Sequence, residues 1–192
     1  MDVKPSNFFG NSDQLTEEEA NIINECIEVR TFPKGTILLS EGQVCREGYY
    51  NVKGLVRSYQ LVKGEERTTE FYEEYSSIIS LSSYLNNTLA NHYFECLEET
   101  TLTVITKKKE AELLKRYPPY ADLCRLGMEA EFGAAQERSA TFMTSTAEER
   151  YLKLLKERPT LSQRVPQYQL ASFLGIKPES LSRIRKRIAV KP

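Results

Sequence analysis

The 192-residue sequence has few of the groups on which enzymes and metalloproteins depend. It holds one histidine, His92, and its four cysteines lie far apart without a C-x-x-C pair. Zinc and iron–sulfur sites need closely spaced thiolates, so we expect reduced, buried cysteines and no metal site. Paired carboxylates, a nucleophile beside a histidine and a phosphate-binding loop are also absent. The sequence therefore predicts neither an enzyme nor a bound cofactor.

Long apolar runs are missing as well. No stretch approaches the ~20 apolar residues that a membrane helix needs, and the amino-terminal MDVKPSNFFGNSDQ is too polar for a signal peptide. We therefore expect a cytoplasmic protein without a membrane partner.

Positive charge is unevenly distributed. The chain has a net charge of −1, and residues 68–106 contain no Lys or Arg. Residues 160–192 hold seven Lys or Arg against one Glu, a net charge of +6, which leaves −7 on the remaining chain. A basic carboxy-terminal end favours a polyanion as its partner.

The basic end, Pro166 to Ala189, has the pattern of a helix, a tight turn and a second helix. Leu170, Phe173 and Leu174 are spaced as one helix face. Gly175 supplies a left-handed residue where that helix must end, and Pro178 suits the start of the next helix.

The second helix of this pair is predicted to be amphipathic. Leu181, Ile184 and Ile188 fall on one face, which leaves the opposite face to four polar residues, Glu179, Ser182, Arg183 and Lys186. A polar, basic face on the second helix of a helix-turn-helix is suited to the major groove of DNA.

The preceding chain begins with a helix and continues as short strands. Thr16 and Glu19 form a capping box that opens a helix running to about Glu28. From Thr31 to about Ile105, β-rich runs separated by glycines indicate an antiparallel barrel or jelly roll, with a hairpin turn at Lys63-Gly64-Glu65.

A long helical pattern starts at Pro119 and ends near Thr144. Its predicted apolar stripe consists of Leu123, Leu126, Ala130 and Ala134. Two copies could pack along this stripe, or the helix could lie on its own barrel.

A hinge should follow the long helix. Thr146 and Glu149 form a second capping box, which opens a helix ending at Pro159. On this helix we expect Tyr151, Leu154 and Leu155 to pack against Leu170, Phe173 and Ile184.

Lys34-Gly35-Thr36-Ile37-Leu38, Glu41-Gly42 and Tyr49 to Arg57 resemble the opening strands of a cyclic-nucleotide-binding jelly roll. With the basic end, the sequence resembles the Crp/Fnr family of bacterial transcription regulators over roughly residues 12–189. The resemblance implies an α+β fold with a sensor domain at 1–118, a dimerisation helix at 119–144 and a helix-turn-helix domain at 145–192. That last domain would be winged-helix-like but lack most of the wing.

The family's ligand cassette departs here from its pattern. Ser80 stands where the resemblance places a ribose-binding Glu, and Ala90 or Asn91 where it places a phosphate-binding Arg. Burying a phosphodiester without a cation would cost several kcal/mol, so we expect no tight binding of cyclic AMP or cyclic GMP. An unknown, less anionic small-molecule effector could instead use polar side chains, and the candidates are Ser80, Ser82, Ser83, Asn86, Asn91 and Tyr93. A barrel that serves only for packing is an equal alternative.

The resemblance also implies roles on the second helix of the pair. Glu179, Ser182 and Arg183 match the family's E-x-x-S-R reading motif, which implies a TTGA-like half-site. Pro178 replaces an Arg that some relatives use for guanine, so the half-site should differ from that of the cyclic AMP receptor. The candidate phosphate contacts are Gln167, Tyr168, Ser180, Arg185, Lys186, Arg187 and Lys191.

These expectations combine into one function and one rival. The chain is expected to be a homodimeric regulator that binds double-stranded DNA at a near-palindromic operator, with RNA polymerase as a further candidate partner. The rival is a dimeric small-molecule sensor or protein-interaction module that has lost DNA binding.

Overall fold

The computed structural model describes residues 4–8 and 15–190. The chain divides into two compact units, of which the first comprises Met1–Ser58 and Phe71–Ala130. The second comprises Tyr59–Glu70 and Glu131–Pro192, so the chain passes between the units three times. The three-part division drawn from the sequence remains a prediction.

Two antiparallel sheets form the β-structure. One contains Glu28–Phe32 (β1), Glu47–Lys53 (β3), Ser77–Ile78 (β6) and Thr100–Thr106 (β8), in the order β1-β8-β3-β6. The other contains Ile37–Leu39 (β2), Val56–Val62 (β4), Glu65–Tyr72 (β5) and Tyr93–Cys96 (β7), in the order β2-β7-β4-β5. The predicted α+β jelly roll is confirmed.

Inward-facing residues of both sheets build the main core of the first unit. Strand alternation brings the strand members of this core to one side, and they are Leu39, Tyr49, Val56, Ile78, Phe94, Cys96, Leu102 and Val104. Cys45 and Ala90 from loops and Tyr84 from a short helix complete the core. The barrel is therefore filled by its own side chains at these positions.

Three helices of the first unit precede, interrupt and follow these strands along the chain. They are Glu17–Cys26 (α1), Leu81–Asn86 (α2) and Lys107–Arg116 (α3). The predicted capping box of α1 is confirmed, because Thr16 and Glu19 exchange backbone-to-side-chain bonds of 2.8 and 3.3 Å. The helix ends at Cys26, slightly earlier than predicted, because β1 already begins at Glu28.

A smaller apolar cluster joins α1 to α3. It contains Ile23, Cys26, Ile27, Leu113, Tyr117 and Tyr120. Cys26, Cys45 and Cys96 are free and buried and Cys124 is half-buried, as expected for reduced thiols.

The remaining helices follow in order along the chain. They are Tyr120–Thr144 (α4), Ala147–Glu157 (α5), Leu161–Arg164 (α6), Gln167–Phe173 (α7) and Pro178–Val190 (α8). The capping box that opens α5 is confirmed. The single turn α6 was not predicted.

The second unit also includes most of the β4–β5 hairpin. Its two loop residues, Lys63 and Gly64, have φ angles of 55° and 81°. Positive φ at both positions is the requirement of a type I′ turn, which matches the twist of the flanking strands. The hairpin predicted at this position is confirmed.

Candidate nucleic-acid interface

Helix α8 has the predicted two faces. Leu181 and Ile184 are buried, whereas Glu179, Ser182 and Arg183 are exposed. The Arg183 Nε donates to the carbonyl of Glu179 at 3.4 Å. The side chains proposed to read bases therefore lie together on an accessible helix surface.

The turn between α7 and α8 follows the sequence expectation. Gly175 has a φ of +71°, and the Ile176 amide donates to the Ala171 carbonyl at 3.0 Å, which closes the end of α7. A Cβ at Gly175 would lie 2.8 Å from Cζ of Phe142, so a larger residue would have to displace the end of that ring as well as adopt a positive φ.

The Arg150 side chain stabilises this turn, and the sequence analysis did not identify Arg150. Its guanidinium donates to the Leu174 carbonyl at 2.8 and 3.2 Å and to the Ser145 carbonyl, and it lies 4.5 Å from the ring centre of Phe142. It thereby connects the end of α4 with the end of α7. Backbone carbonyls have no sequence signature, so nothing in the sequence pointed to this role.

Three leucines of the helical region, Leu161, Leu170 and Leu181, are fully buried. Tyr151 and Leu154 are buried as predicted, while Leu155 and Phe173 are half-buried.

The candidate phosphate contacts occupy different environments. Arg185 and Lys186 are exposed on α8, and Gln167 and Tyr168 are exposed at the start of α7. Ser180 is half-buried.

Two further candidates differ from these. Arg187 is exposed but forms an ion pair with Glu148 of α5, and Lys191 lies outside the described residues. Lys177, exposed in the turn before α8, is a cation that the sequence analysis did not single out.

The ligand cassette is occupied by the protein's own contacts. Ser80 and Ala90 are each only 5% exposed, and Ala90 belongs to the main core. The Ser83 hydroxyl accepts from the Cys45 amide at 2.8 Å and donates to the Thr88 carbonyl at 2.6 Å. These bonds tie α2 to the barrel wall.

The six polar effector candidates differ in their burial. Ser80 and Ser83 are buried, Tyr93 is half-buried, and Ser82, Asn86 and Asn91 are exposed.

The lone histidine has a packing role. Its Nδ1 lies 3.0 Å from the Asn91 side-chain oxygen, and its ring lies 4.9 Å from that of Phe94. Burial lowers the pKa of His92 below its ordinary value of 6.5, so the ring is neutral at pH 7. Among the described residues no group of three His, Cys, Asp or Glu side chains could hold a metal ion.

The cations of the first unit that lie near this region are already engaged. Lys107 donates to the Tyr84 carbonyl at 2.7 Å and to the Asn87 side chain at 3.1 Å, at the end of α2. Arg57 is 2% exposed and pairs with Glu95 at 2.6 Å. A cyclic phosphate bound to either cation would have to compete with these partners.

Helix α4 exposes apolar side chains both within and outside the predicted stripe. In the predicted stripe, Leu126 and Ala130 are exposed, whereas Leu123 and Ala134 are half-buried. Met128 and Phe132 are 47% and 66% exposed on another face. They belong to a three-and-four spacing of the kind found in two-stranded coiled coils, and this seam consists of Ala121, Arg125, Met128, Phe132, Ala135, Ser139 and Phe142.

No helix among the described residues is both long and apolar enough to cross a membrane.

Comparison with known proteins finds one family match within the chain. Residues 29–117 match the cyclic nucleotide-binding domain family. No curated protein matches the sequence.

Several solved structures share the fold. A protein assigned to the Crp/Fnr family of transcriptional regulators in Eubacterium rectale has a TM-score of 0.72 at 19% identity, covering 96% of this chain and 88% of that chain. FixK2 from Bradyrhizobium japonicum has a TM-score of 0.71 at 17% identity, covering 85% and 84%. The c-di-GMP responsive global regulator CLP from Xanthomonas campestris has a TM-score of 0.71 at 14% identity, covering 89% and 90%. At such identities the comparisons establish a common fold.

Proposed function

We propose that this chain is a sequence-specific, DNA-binding transcription regulator, because residues 29–117 match the cyclic nucleotide-binding domain family and the chain has the fold of Crp/Fnr transcription regulators. It acts as a homodimer on a near-palindromic operator, and cyclic AMP does not control it.

The observation that carries this proposal is the exposed polar face of α8. Arg183 can donate two parallel bonds to guanine O6 and N7, and Glu179 can accept from a cytosine amino group. Arg185, Lys186 and Lys177, all exposed, supply charge for the phosphates on either side. The half-site is TTGA-like, as the match of Glu179, Ser182 and Arg183 to the family's reading motif implies.

Selection of bound sites from a random duplex pool tests this function. A selected consensus with two half-sites one helical turn apart, about 34 Å, supports a dimer with two reading helices. The variant Arg183→Ala should lose about 1–3 kcal/mol of binding to that consensus and relax specificity at one position. The control Arg46→Ala removes an exposed cation from the first unit and should leave binding unchanged.

The rival function of a sensor or interaction module would be favoured by two results together. The selection would enrich no sequence, and the protein would show no salt-sensitive retention on duplex DNA. Unchanged affinity and specificity of Arg183→Ala would show that α8 is not the reading helix.

The proposed dimer forms along α4 through the exposed seam that contains Met128 and Phe132. Large apolar side chains exposed at i and i+4 on a 25-residue helix lose water contact when a second copy packs on them. In the stripe expected from the sequence, Leu126 and Ala130 are exposed but Leu123 and Ala134 are half-buried, so only part of that stripe is accessible to a partner.

Sedimentation of two variants can show which of the two surfaces of α4 forms the dimer. Phe132→Glu places a carboxylate in the proposed seam and should convert the dimer to a monomer, whereas Ala130→Glu should leave the dimer intact. The opposite result would return the interface to the originally predicted stripe.

Independence from cyclic AMP rests on the filled cassette. Ser80 is buried where the resemblance places the Glu, and of the two positions that it offers for the Arg, Ala90 is buried and Asn91 is exposed but uncharged. Ser83 is hydrogen-bonded to backbone groups. Calorimetry should detect no binding of cyclic AMP at micromolar concentrations, and a micromolar dissociation constant would overturn this part of the proposal.

A further inference from the structure

The outer part of the β4–β5 hairpin, Tyr59–Glu70, belongs to the second unit, together with the helix-turn-helix. The Thr68 amide donates to the Ser172 hydroxyl at 3.0 Å, and that hydroxyl lies within donating distance of the Glu66 carbonyl, at 3.4 Å. Ser172 lies on α7, and Thr68 is only 6% exposed. The hairpin is therefore hydrogen-bonded to the first helix of the helix-turn-helix.

Glu70 adds a second connection. One of its carboxylate oxygens lies 3.0 Å from Nη1 of Arg158, and the other lies 3.2 Å from Nε of Arg138. Arg138 is on α4 and Arg158 caps the end of α5. The Glu70 side chain is 18% exposed, so these charge-assisted bonds are partly shielded from water and salt.

These contacts span the hinge. The turn between α4 and α5 contains Ser145, and a single carboxylate from the hairpin holds one arginine on each side of it. Arg158 also lies 5.9 Å from the ring centre of Phe173 at the end of α7. A rotation of α5 to α8 about the hinge would have to break the bonds to Glu70 and Ser172.

The hairpin leaves the reading face open. Glu179, Ser182 and Arg183 are all exposed while the hairpin contacts are in place. The contacts therefore fix the orientation of the helix-turn-helix and do not mask it.

We propose that the hairpin clasp, defined as Glu66, Thr68 and Glu70 with Ser172, Arg158 and Arg138, is a positioning element for DNA binding. It holds the reading helix at a set angle to α4, and therefore sets the distance between the two reading helices of a dimer. The inference rests on the proposed DNA-binding function. A helix held in its binding orientation loses less conformational freedom on binding, so the clasp strengthens binding and narrows the accepted half-site spacing.

The test compares operator binding by Glu70→Gln and Ser172→Ala with that of the full wild-type chain. Duplexes carrying the selected half-sites at the preferred spacing, or with one or two base pairs added between them, are titrated by fluorescence anisotropy. Each variant should bind the preferred duplex roughly three- to thirtyfold more weakly and discriminate less between spacings. Ser172→Thr, which keeps the hydroxyl, should restore wild-type behaviour.

A matched control is Arg67→Gln, which removes an exposed ion pair with Glu65 in the same hairpin and should change neither affinity nor spacing preference. Amide exchange provides a readout independent of DNA, since the Thr68 amide should exchange faster in Ser172→Ala than in Ser172→Thr.

The possible failures are distinguishable. A wild-type chain that binds no duplex defeats the proposed function itself. A wild-type chain that binds, with variants of unchanged spacing preference, overturns only the positioning role. Tighter binding by the variants would also overturn it, because the clasp would then be inhibitory.

Discussion

Replacement of Gly175 by alanine should measure how tightly the helix-turn-helix is held to the end of α4. Gly175 has a φ of +71°, where a residue with a Cβ loses about 1–2 kcal/mol. The new Cβ would lie 2.8 Å from Cζ and 3.3 Å from Cε2 of Phe142, so the ring must move away from a preferred rotamer, at about 0.5–1.5 kcal/mol. We therefore expect Gly175→Ala to lower the free energy of unfolding of the second unit by about 2–3 kcal/mol.

Urea denaturation followed by circular dichroism can separate the two contributions. Gly64→Ala is the matched control, because Gly64 has a φ of +81° in the same unit but open space around its Cβ position. It should lose only the backbone contribution of about 1–2 kcal/mol. In a Phe142→Ala background, the loss of unfolding free energy caused by Gly175→Ala should fall to that same value.

Two results would refute this reasoning. If Gly175→Ala costs no more than Gly64→Ala, the close approach to Phe142 does not contribute. If its cost is unchanged in the Phe142→Ala background, the extra destabilisation arises elsewhere.

Three further predictions concern other parts of the chain. Ser83→Ala should lower stability by about 1–3 kcal/mol, because the buried Cys45 amide loses its acceptor, whereas exposed Ser82→Ala should change stability by less than about 0.5 kcal/mol in the same denaturation assay. The Thr146 amide, by donating to the Glu149 carboxylate, holds the pKa of Glu149 below its ordinary value of 4.5. The stability that Glu149 contributes is therefore present above pH 4.5 and is lost as the pH falls through the lowered folded-state pKa. Glu149→Gln should remove this acid sensitivity in denaturation curves between pH 3 and 6. Operator affinity should fall steeply with salt, with a slope of about −0.9 for each phosphate neutralised, and a flat salt dependence would contradict phosphate contacts by the α8 cations.

Each of these has a distinct contradicting outcome. Equal stability of the two serine variants would mean that the bond to Cys45 contributes nothing, and an unchanged acid midpoint in Glu149→Gln would mean that the capping carboxylate is not responsible.

Features encoded by neighbouring residues could be predicted from the sequence. The capping boxes at Thr16 and Thr146, the Lys63-Gly64 hairpin and the left-handed Gly175 all depend on interactions within a few residues. The burial of Leu181 and the exposure of Arg183 follow from helical periodicity alone.

Features that depend on distant partners could not be predicted. The buried pair of Arg57 and Glu95 joins residues 38 positions apart, and Arg150 binds backbone carbonyls, which any residue carries. The exposed seam of α4 was also missed, because small and apolar residues occur on every side of this helix and periodicity could not single out Met128 and Phe132.

The placement of the hairpin has a consequence for synthesis of the chain. The bond between Thr68 and Ser172 joins residues 104 positions apart, so the hairpin leaves the ribosome long before the helix that it binds. The first unit needs the chain only to Ala130, whereas the second remains incomplete until α7 has emerged. A chain that ends after α4 would therefore carry a hairpin whose Thr68 amide lacks its Ser172 acceptor and whose Glu70 carboxylate has Arg138 but lacks Arg158. The outer hairpin completes its bonds to α5 and α7 only near the end of synthesis.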